Sequence, residues 1–243
     1  MIFSLILILL SLSIVYSTNA IGKIKVNPLN HLFLDEYNRT ITFHGVNAVY
    51  KIAPWHPNVD GFDSDNSLSD IDAKNLKSWG FNIVRLGVMW PGVEPERNVY
   101  NDTYLDQIEI IVNNLQNENI YVILDFHQDL LHRKYCGEGV PDYVYDLCHQ
   151  QAIDSNAQTF PNPAVQDIYP VDDNNDPELE SCLSVNFAKY YLSDEVSKAF
   201  QCLYDNTDSL WDSLAGYWVQ IANRFKSYPY VLGYELMNEP WAG

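Results

Sequence analysis

The sequence predicts an α/β fold built on parallel strands, and three features predict it. Short apolar runs alternate along the chain with amphipathic helical stretches, and parallel neighbours need crossovers of that kind. The run Ile120-Tyr-Val-Ile-Leu124 is apolar throughout, as in a strand covered on both faces. Polar residues gather where successive runs end: Asn47 and Lys51, Arg85, His127 and Asp129, then Asn238 and Glu239. In a (β/α)8 barrel the strand ends converge on one face, where the active site is built. A doubly wound open sheet also places ligands at strand ends, but no Gly-rich phosphate loop follows the first strand here.

The chain has 243 residues and 47% hydrophobic content, enough for a sizeable core. Residues 2–15 form an apolar run too short for a membrane span, followed by Ser17-Thr18-Asn19-Ala20. Residues 1–20 are therefore expected to be a secretory signal peptide, although basic residues before the run are missing; an uncleaved anchor is the alternative. Export would place residues 21–243 outside the cell or in a lysosome-like or digestive compartment. The sequons at Asn38 and Asn101 fit glycosylation there. So do the four cysteines, 136, 148, 182 and 202, which imply two disulfides with three possible pairings. The sequential pairing, Cys136 with Cys148 and Cys182 with Cys202, is the expected one. No C-x-x-C spacing supports zinc instead.

Residues 38–50 read as a strand rich in β-branched side chains. Residues 69–80 read as a helix, with Ser69 as N-cap, Asp72 three residues on and Gly80 as stop. Residues 81–86 form the second strand. The helix at 104–115 carries apolar residues at 104, 105, 108, 111, 112 and 115, and the third strand follows at 120–124. Residues 130–205 read as a long irregular insertion containing all four cysteines, with a weak helical pattern in 185–202. A helix at 209–225 and a strand at 230–236 complete the alternation.

The balance of 14 basic against 32 acidic residues, net −18, argues against nucleic acid or an anionic membrane surface as partner. Aromatic content of 14%, with 17 Tyr and 6 Trp, exceeds what a core requires, and aromatic faces also stack on sugar rings. At the last strand, Asn238-Glu239-Pro240 sets a carboxyl beside an amide where Pro240 ends the ladder, with Trp241 next to it: a general acid/base site suited to sugar chemistry. Each candidate has a plainer reading. Arg85 could be a salt-bridged strand residue, His127 a core histidine, and Lys51 and Asp129 solvated charges. The acidic run 172–180 could be a calcium loop through Asp172, Asn174 and Asp176, but Pro177 stands where Gly is needed and Leu183 where Glu is needed, so a solvated loop is expected. No metal or cofactor is implied.

Taken together, Asn47-Ala-Val-Tyr-Lys51 with Pro54, Arg85-Leu-Gly-Val-Met-Trp90-Pro-Gly-Val-Glu94-Pro95, Asp125-Phe-His127-Gln-Asp129 and Met237-Asn238-Glu239-Pro240-Trp-Ala-Gly resemble the endoglycoceramidases within glycoside hydrolase family five. The resemblance runs from about residue 24 to the last one. It implies a retaining mechanism on a (β/α)8 barrel that cleaves the β-glycosidic bond between oligosaccharide and ceramide. Glu239 would be the acid/base and Asn238 would bind the sugar 2-hydroxyl. Arg85 and His127 would position nucleophile and sugar, and Lys51 and Asp129 would bind sugar hydroxyls. Such a mechanism needs a second carboxylate roughly 5 Å from the first, and a Glu239 kept protonated by burial and by that neighbour. The family's nucleophilic Glu lies near a seventh strand, and this chain reaches only the fourth, so it reads as an N-terminal half barrel of about four β/α units, inactive alone. Glycolipid or oligosaccharide is the partner implied, with transient contact to lipid micelles or a membrane surface. A family-five β-glucanase and a secreted non-catalytic sugar- or lipid-binding protein are the alternatives.

Overall fold

A computed structural model describes residues 24–243. The expected signal peptide lies outside the described residues. The described residues divide into two compact units, 24–41 and 42–243. In the first, β1 (Lys25–Val26) and β2 (Phe33–Leu34) pair antiparallel, and Thr40 bridges to Leu34. Asn38 sits in the exposed turn before that bridge, in the left-handed region at φ 59°.

The second unit starts with β3 (Gly45–Ala48), α1 (Asp70–Ser78), β4 (Ile83–Gly87), α2 (Trp90–Val93), α3 (Asp102–Asn117) and β5 (Tyr121–Asp125). The insertion follows, with β6 (Leu130–Leu131), β7 (Glu138–Gly139), α4 (Asp142–Asp154), α5 (Leu179–Leu183) and α6 (Asp194–Tyr204). Last come α7 (Leu210–Phe225) and β8 (Val231–Glu235). Strands β3, β4, β5 and β8 form one parallel sheet in that order. Spatial order equals chain order, with no reversal at which a doubly wound sheet would split, and this is the arrangement of consecutive barrel strands.

Side chains alternate across this sheet. Val84, Leu86, Val122 and Leu124 are fully buried on one face, while Arg85, Asp125 and Glu235 share the other. α3 packs against β5, α1 and α7. It buries Tyr104, Leu105, Ile108, Ile111, Val112 and Leu115, the six positions its apolar spacing marks. α1 begins in a complete capping box: the Ser69 side chain accepts from the first turn and the Asp72 carboxylate accepts from Ser69 N at 2.7 Å. It stops at Gly80, whose φ of 88° is one that side-chain-bearing residues avoid. Beneath the strand ends, Trp90, Phe126 and Tyr217 form a ring cluster with centroids 5.5–5.9 Å apart.

Three expectations need correction. The strand read over 38–50 is divided: Thr40 belongs to the first unit's pairing, and only Gly45–Ala48 joins the parallel sheet. The insertion is more ordered than its sequence suggests. α4 was missed because it buries a narrow stripe of Val144, Cys148 and Ala152, two of them small, whereas α6 buries a broad face that includes Val196, Phe200 and Leu203. The disulfides are not sequential neighbours. Cys148 joins Cys202 because α4 and α6 lie side by side, and Cys136, before β7, joins Cys182 on α5.

Digestion without reduction, followed by mass spectrometry, should give peptides linked Cys136–Cys182 and Cys148–Cys202, and recovery of a Cys136–Cys148 peptide would refute this packing of α4 on α6. Replacing Ser69 with Ala should lower unfolding stability by about 1 kcal/mol in a denaturant titration.

Candidate active site

The site is built on the polar face of the sheet, where strand alternation turns charged residues away from the helices. Arg85 stands centrally on β4. Its Nε donates to Glu235 Oε2 at 2.6 Å and its Nη2 to Glu235 Oε1 at 2.8 Å, a forked pair. Nη2 also reaches Asn238 Oδ1 at 2.9 Å and Asp125 Oδ2 at 3.1 Å. The hydrogen bonds to Glu235 raise the Arg85 pKa and hold the Glu235 carboxyl below its usual range. Glu235 is thus an ionised partner of Arg85, and strand alternation aims it at the guanidinium.

Beyond β5 the chain stays extended, so Phe126 enters the core and His127 returns to the polar side. Its Nδ1 lies 2.8 Å from Asp125 Oδ2 and its Nε2 lies 3.4 Å from Asp129 Oδ2. Burial alone would lower the imidazole pKa, but hydrogen bonds to Asp125 and Asp129 outweigh it and raise the value to about 9. Asp125 is fully buried, and its Oδ1 finds no hydrogen-bond partner among the described residues, so the whole carboxylate depends on Arg85 and His127.

Asp129 also meets the Lys51 ammonium in a very short contact, and Lys51 Nζ lies 2.9 Å from Glu138 Oε1 on β7. Burial works against ionised Asp129, but His127 and Lys51 hold it well below the carboxylate range. Glu138 moves the other way, because burial exceeds the help it receives from Lys51. Glu138 is placed by Gly139, whose φ is 146° and where a Cβ would come within 2.4 Å of the Gln128 side chain. Gln128 is the clasp between β5 and β8. Its Nε2 donates to the carbonyls of Asn238 (2.7 Å) and Glu239 (3.0 Å), while Asn238 Nδ2 donates to the Gln128 carbonyl at 2.9 Å.

Arg85, His127, Asp129, Lys51 and Asn238 therefore form one network, as their positions at strand ends predict. Glu239 follows it with an exposed side chain at φ 37°, so the burial expected of an acid/base residue is not met: the turn into Pro240 carries it outward. Trp241 packs on Tyr191, centroids 4.9 Å apart, and the Tyr191 hydroxyl points to Asp129 at 3.5 Å. Asn47 stands in register with Arg85, but it is exposed, makes no hydrogen bond to the cluster among the described residues, and lines a separate groove of about 300 Å³ against α1. Asn101 serves the fold, its side-chain oxygen capping α3 at Tyr104 N, 3.1 Å. Asp172 Oδ1 accepts from the backbone of Asn174 and Asp176, which closes that acidic turn on itself. Sequence reasoning missed Asp125, Gln128, Glu138, Tyr191 and the role of Glu235. Alternation with Arg85 could have found Asp125 and Glu235, but Glu138 and Tyr191 come from the insertion, where spacing carries no signal.

His127, Asp129 and Glu138 bring their donor atoms within 4.8 Å of one another, as a divalent ion would require. The Lys51 ammonium already lies against Asp129 and Glu138, and His127, protonated up to about pH 9, has no lone pair to give. The cluster is a set of ion pairs with its own cation. What it offers chemically is a fixed row of charge-assisted donors and acceptors ending at an accessible carboxyl, an arrangement suited to holding hydroxyl groups beside a proton donor.

The Cellulase profile, glycosyl hydrolase family 5, matches residues 34–243. The chain belongs to glycosyl hydrolase family 5. Within family 5 it is similar to an endoglycoceramidase of Hydra vulgaris, 40% identical over 240 residues, covering 99% of this chain and 45% of that protein. A second endoglycoceramidase, from Cyanea nozakii, is 41% identical over 221 residues, covering 90% of this chain and 42% of the relative. Among solved structures, endo-glycoceramidase II from Rhodococcus sp. superposes with a TM-score of 0.61 at 25% identity, covering 86% of this chain and 42% of that one. The chain thus spans a little under half the length of the relatives it matches, and its sheet is the first four β/α units of the family's barrel.

His127 tests the network by its titration. A pKa raised from 6.5 to about 9 means that the protonated form adds stability, complete below about pH 6.5 and lost as pH rises through about 9. NMR should find the imidazole titrating near pH 9, and Asp125→Asn should bring it down toward 6.5. An ordinary titration in the unsubstituted protein would contradict the ion-pair network.

Proposed function

We propose that this chain supplies the acid/base and sugar-binding half of a retaining glycosidase that cleaves the β-glycosidic bond between oligosaccharide and ceramide. The observation that carries the reading is the continuous network from Lys51 through Asp129, His127, Asp125 and Arg85 to Asn238, next to Glu239. Its support from outside is the identity of about 40% with two endoglycoceramidases across nearly the whole chain. Glu239 is the proton donor to the departing ceramide oxygen and later the base that activates water. Asn238, held from both sides by Arg85 and Gln128, presents its amide to the 2-hydroxyl. Arg85 and protonated His127, paired with Glu235, Asp125 and Asp129, position the nucleophile and the reacting sugar through donors held at fixed places.

The nucleophile itself is assigned to residues outside this chain. Each described carboxylate near Glu239 is committed: Glu235 and Asp125 to Arg85, Asp129 to Lys51 and His127. On that account the 243 residues alone do not turn over glycolipid. Export through residues 1–20 and glycans on Asn38 and Asn101 are part of the same proposal. A β-glucanase acting on soluble substrate is the second reading, favoured by the profile's own description.

In the polypeptide extended to the length of its relatives, Glu239→Gln should slow release of glycan from a glycosylceramide by about 10²–10⁴-fold, while an activated aryl glycoside suffers less. An unchanged rate would remove Glu239 from the acid/base role, and cleavage of cellulose-type oligosaccharides with no action on glycolipid would favour the second reading.

A further inference from the structure

Two glycines bracket Glu138, and neither has room for a side chain. A Cβ on Gly137 would collide with the Asp129 carbonyl oxygen, and one on Gly139 with the Gln128 side chain. Glu138 is thereby drawn against Asp129 as a directly opposed antiparallel pair, each backbone N–H donating to the other's carbonyl at 2.8 Å. One oxygen of each carboxyl lies within 4.8 Å of the other. Like charges so opposed destabilise a strand pair, and Glu138 is only 7% exposed, so water does little to screen them.

The cations of the site do not cover both carboxylates. Glu235, Asp125, Asp129 and Glu138 make four acids along the row, and Arg85, His127 and Lys51 make three cations. Asp125 stands between Arg85 and His127, and Asp129 between His127 and Lys51. Glu235, at one end, takes the Arg85 fork and is held below its usual range. Glu138, at the other end, has only the outer side of Lys51. The ammonium lies 2.9 Å from Oε1 but out of hydrogen-bond alignment, and that buried oxygen has no hydrogen-bond partner among the described residues. Arg133 has no carboxylate partner, but it donates to the Pro177 carbonyl at 2.7 Å; Lys134 pairs with Asp176 and His132 with Asp142, and none of the three forms an ion pair with Glu138. Tyr191, whose hydroxyl points to Asp129 at 3.5 Å, is kept neutral by burial. The row is one cation short, and the shortage falls on Glu138. Burial, reinforced by Asp129, outweighs Lys51 and pushes its carboxyl up to about 7.

We propose that Glu138 is a positioning residue that carries a proton in the working site: neutral, it donates to Asp129 and leaves Lys51 to that carboxylate, and ionised, it draws the ammonium outward and loosens the pair that faces the sugar. The proposal rests on the glycosidase reading only for the ligand that Lys51 and Asp129 hold. Glu138 itself needs no contact with that ligand.

NMR and calorimetry of the full-length protein test it, with free lactose as the probe. One Glu carboxyl carbon should titrate near pH 7, and the Lys51 Cε resonance should move in the same step; both changes should be absent from Glu138→Gln. Lactose should bind about tenfold more weakly at about pH 8 than at about pH 6, because only the fraction with neutral Glu138 is competent. His127, protonated up to about pH 9, does not change across that range. Glu138→Gln, whose amide also donates, should bind lactose about tenfold more tightly than the unsubstituted protein at about pH 8. Glu138→Ala, with neither donor nor acceptor, should bind weakly at both pH values. A Glu138 carboxyl titrating in the ordinary range, or the same pH dependence in Glu138→Gln as in the unsubstituted protein, would overturn the proposal. If Glu138→Gln does not fold, the two resonances of the unsubstituted protein decide it. If those resonances move together near pH 7 but lactose does not bind, the proposed function fails and the positioning of Lys51 stands. If lactose binds equally at both pH values, the reverse holds.

Discussion

The guanidinium of Arg85 is the point on which the polar half of this structure depends. Asp125, Glu235 and the Asn238 side-chain amide oxygen all converge on it from β5, β8 and the turn after β8. Without that cation, Asp125, which has no solvent exposure, would keep only His127 as a partner. Removing one member of a buried ion pair typically costs about 3–5 kcal/mol, because the other charge is left uncompensated. The strand ends therefore stay together through the same groups that would act on a sugar. Stability and chemistry are not separable at this face, and the charge order along it alternates: Glu235, Arg85, Asp125, His127, Asp129, Lys51, Glu138.

Two kinds of scaffold hold this row. Arg85, Asp125 and Glu235 sit on strands whose hydrogen bonds set them to a common register, and Gln128 locks the exits of β5 and β8 through three hydrogen bonds. Glu138 and Tyr191 belong to the insertion, which reaches the site from the side. The inner part of the site is thus as rigid as the sheet, while its outer wall has the character of a loop shaped by its own contacts.

How far the sequence revealed this can be seen residue by residue. Ser69 with Asp72, the stripe from Tyr104 to Leu115, and the strand ends at Arg85 and Asn238 were legible because each follows from local periodicity or capping. Asp125 was visible in its motif but gained a role only through contact with Arg85, a partner 40 positions earlier. Glu138 could not be found, since its place depends on a left-handed glycine and on a lysine from another loop. The cysteine pairing failed for a related reason: proximity along the chain says little once two helices turn back on each other. Glu239 falls just past β8, where the strand exit puts it, but on an exposed turn at φ 37° that the apolar run before it does not announce.

The Cys136–Cys182 bridge has a consequence for the outer wall. Cys136 is two residues from Glu138, and its covalent partner lies 46 residues further on, so the approach to Glu138 is moored at both ends of a long excursion. Glu138 lies just inside the first anchor, and Cys148 in the same loop is tied to Cys202, so the stretch between α4 and α5 can change in length or composition without passing its displacement to the carboxylate. The insertion is in this sense a cassette: its interior is free to vary what it shows to solvent and to ligands, while the two sulfur atoms keep the wall where the barrel strands need it.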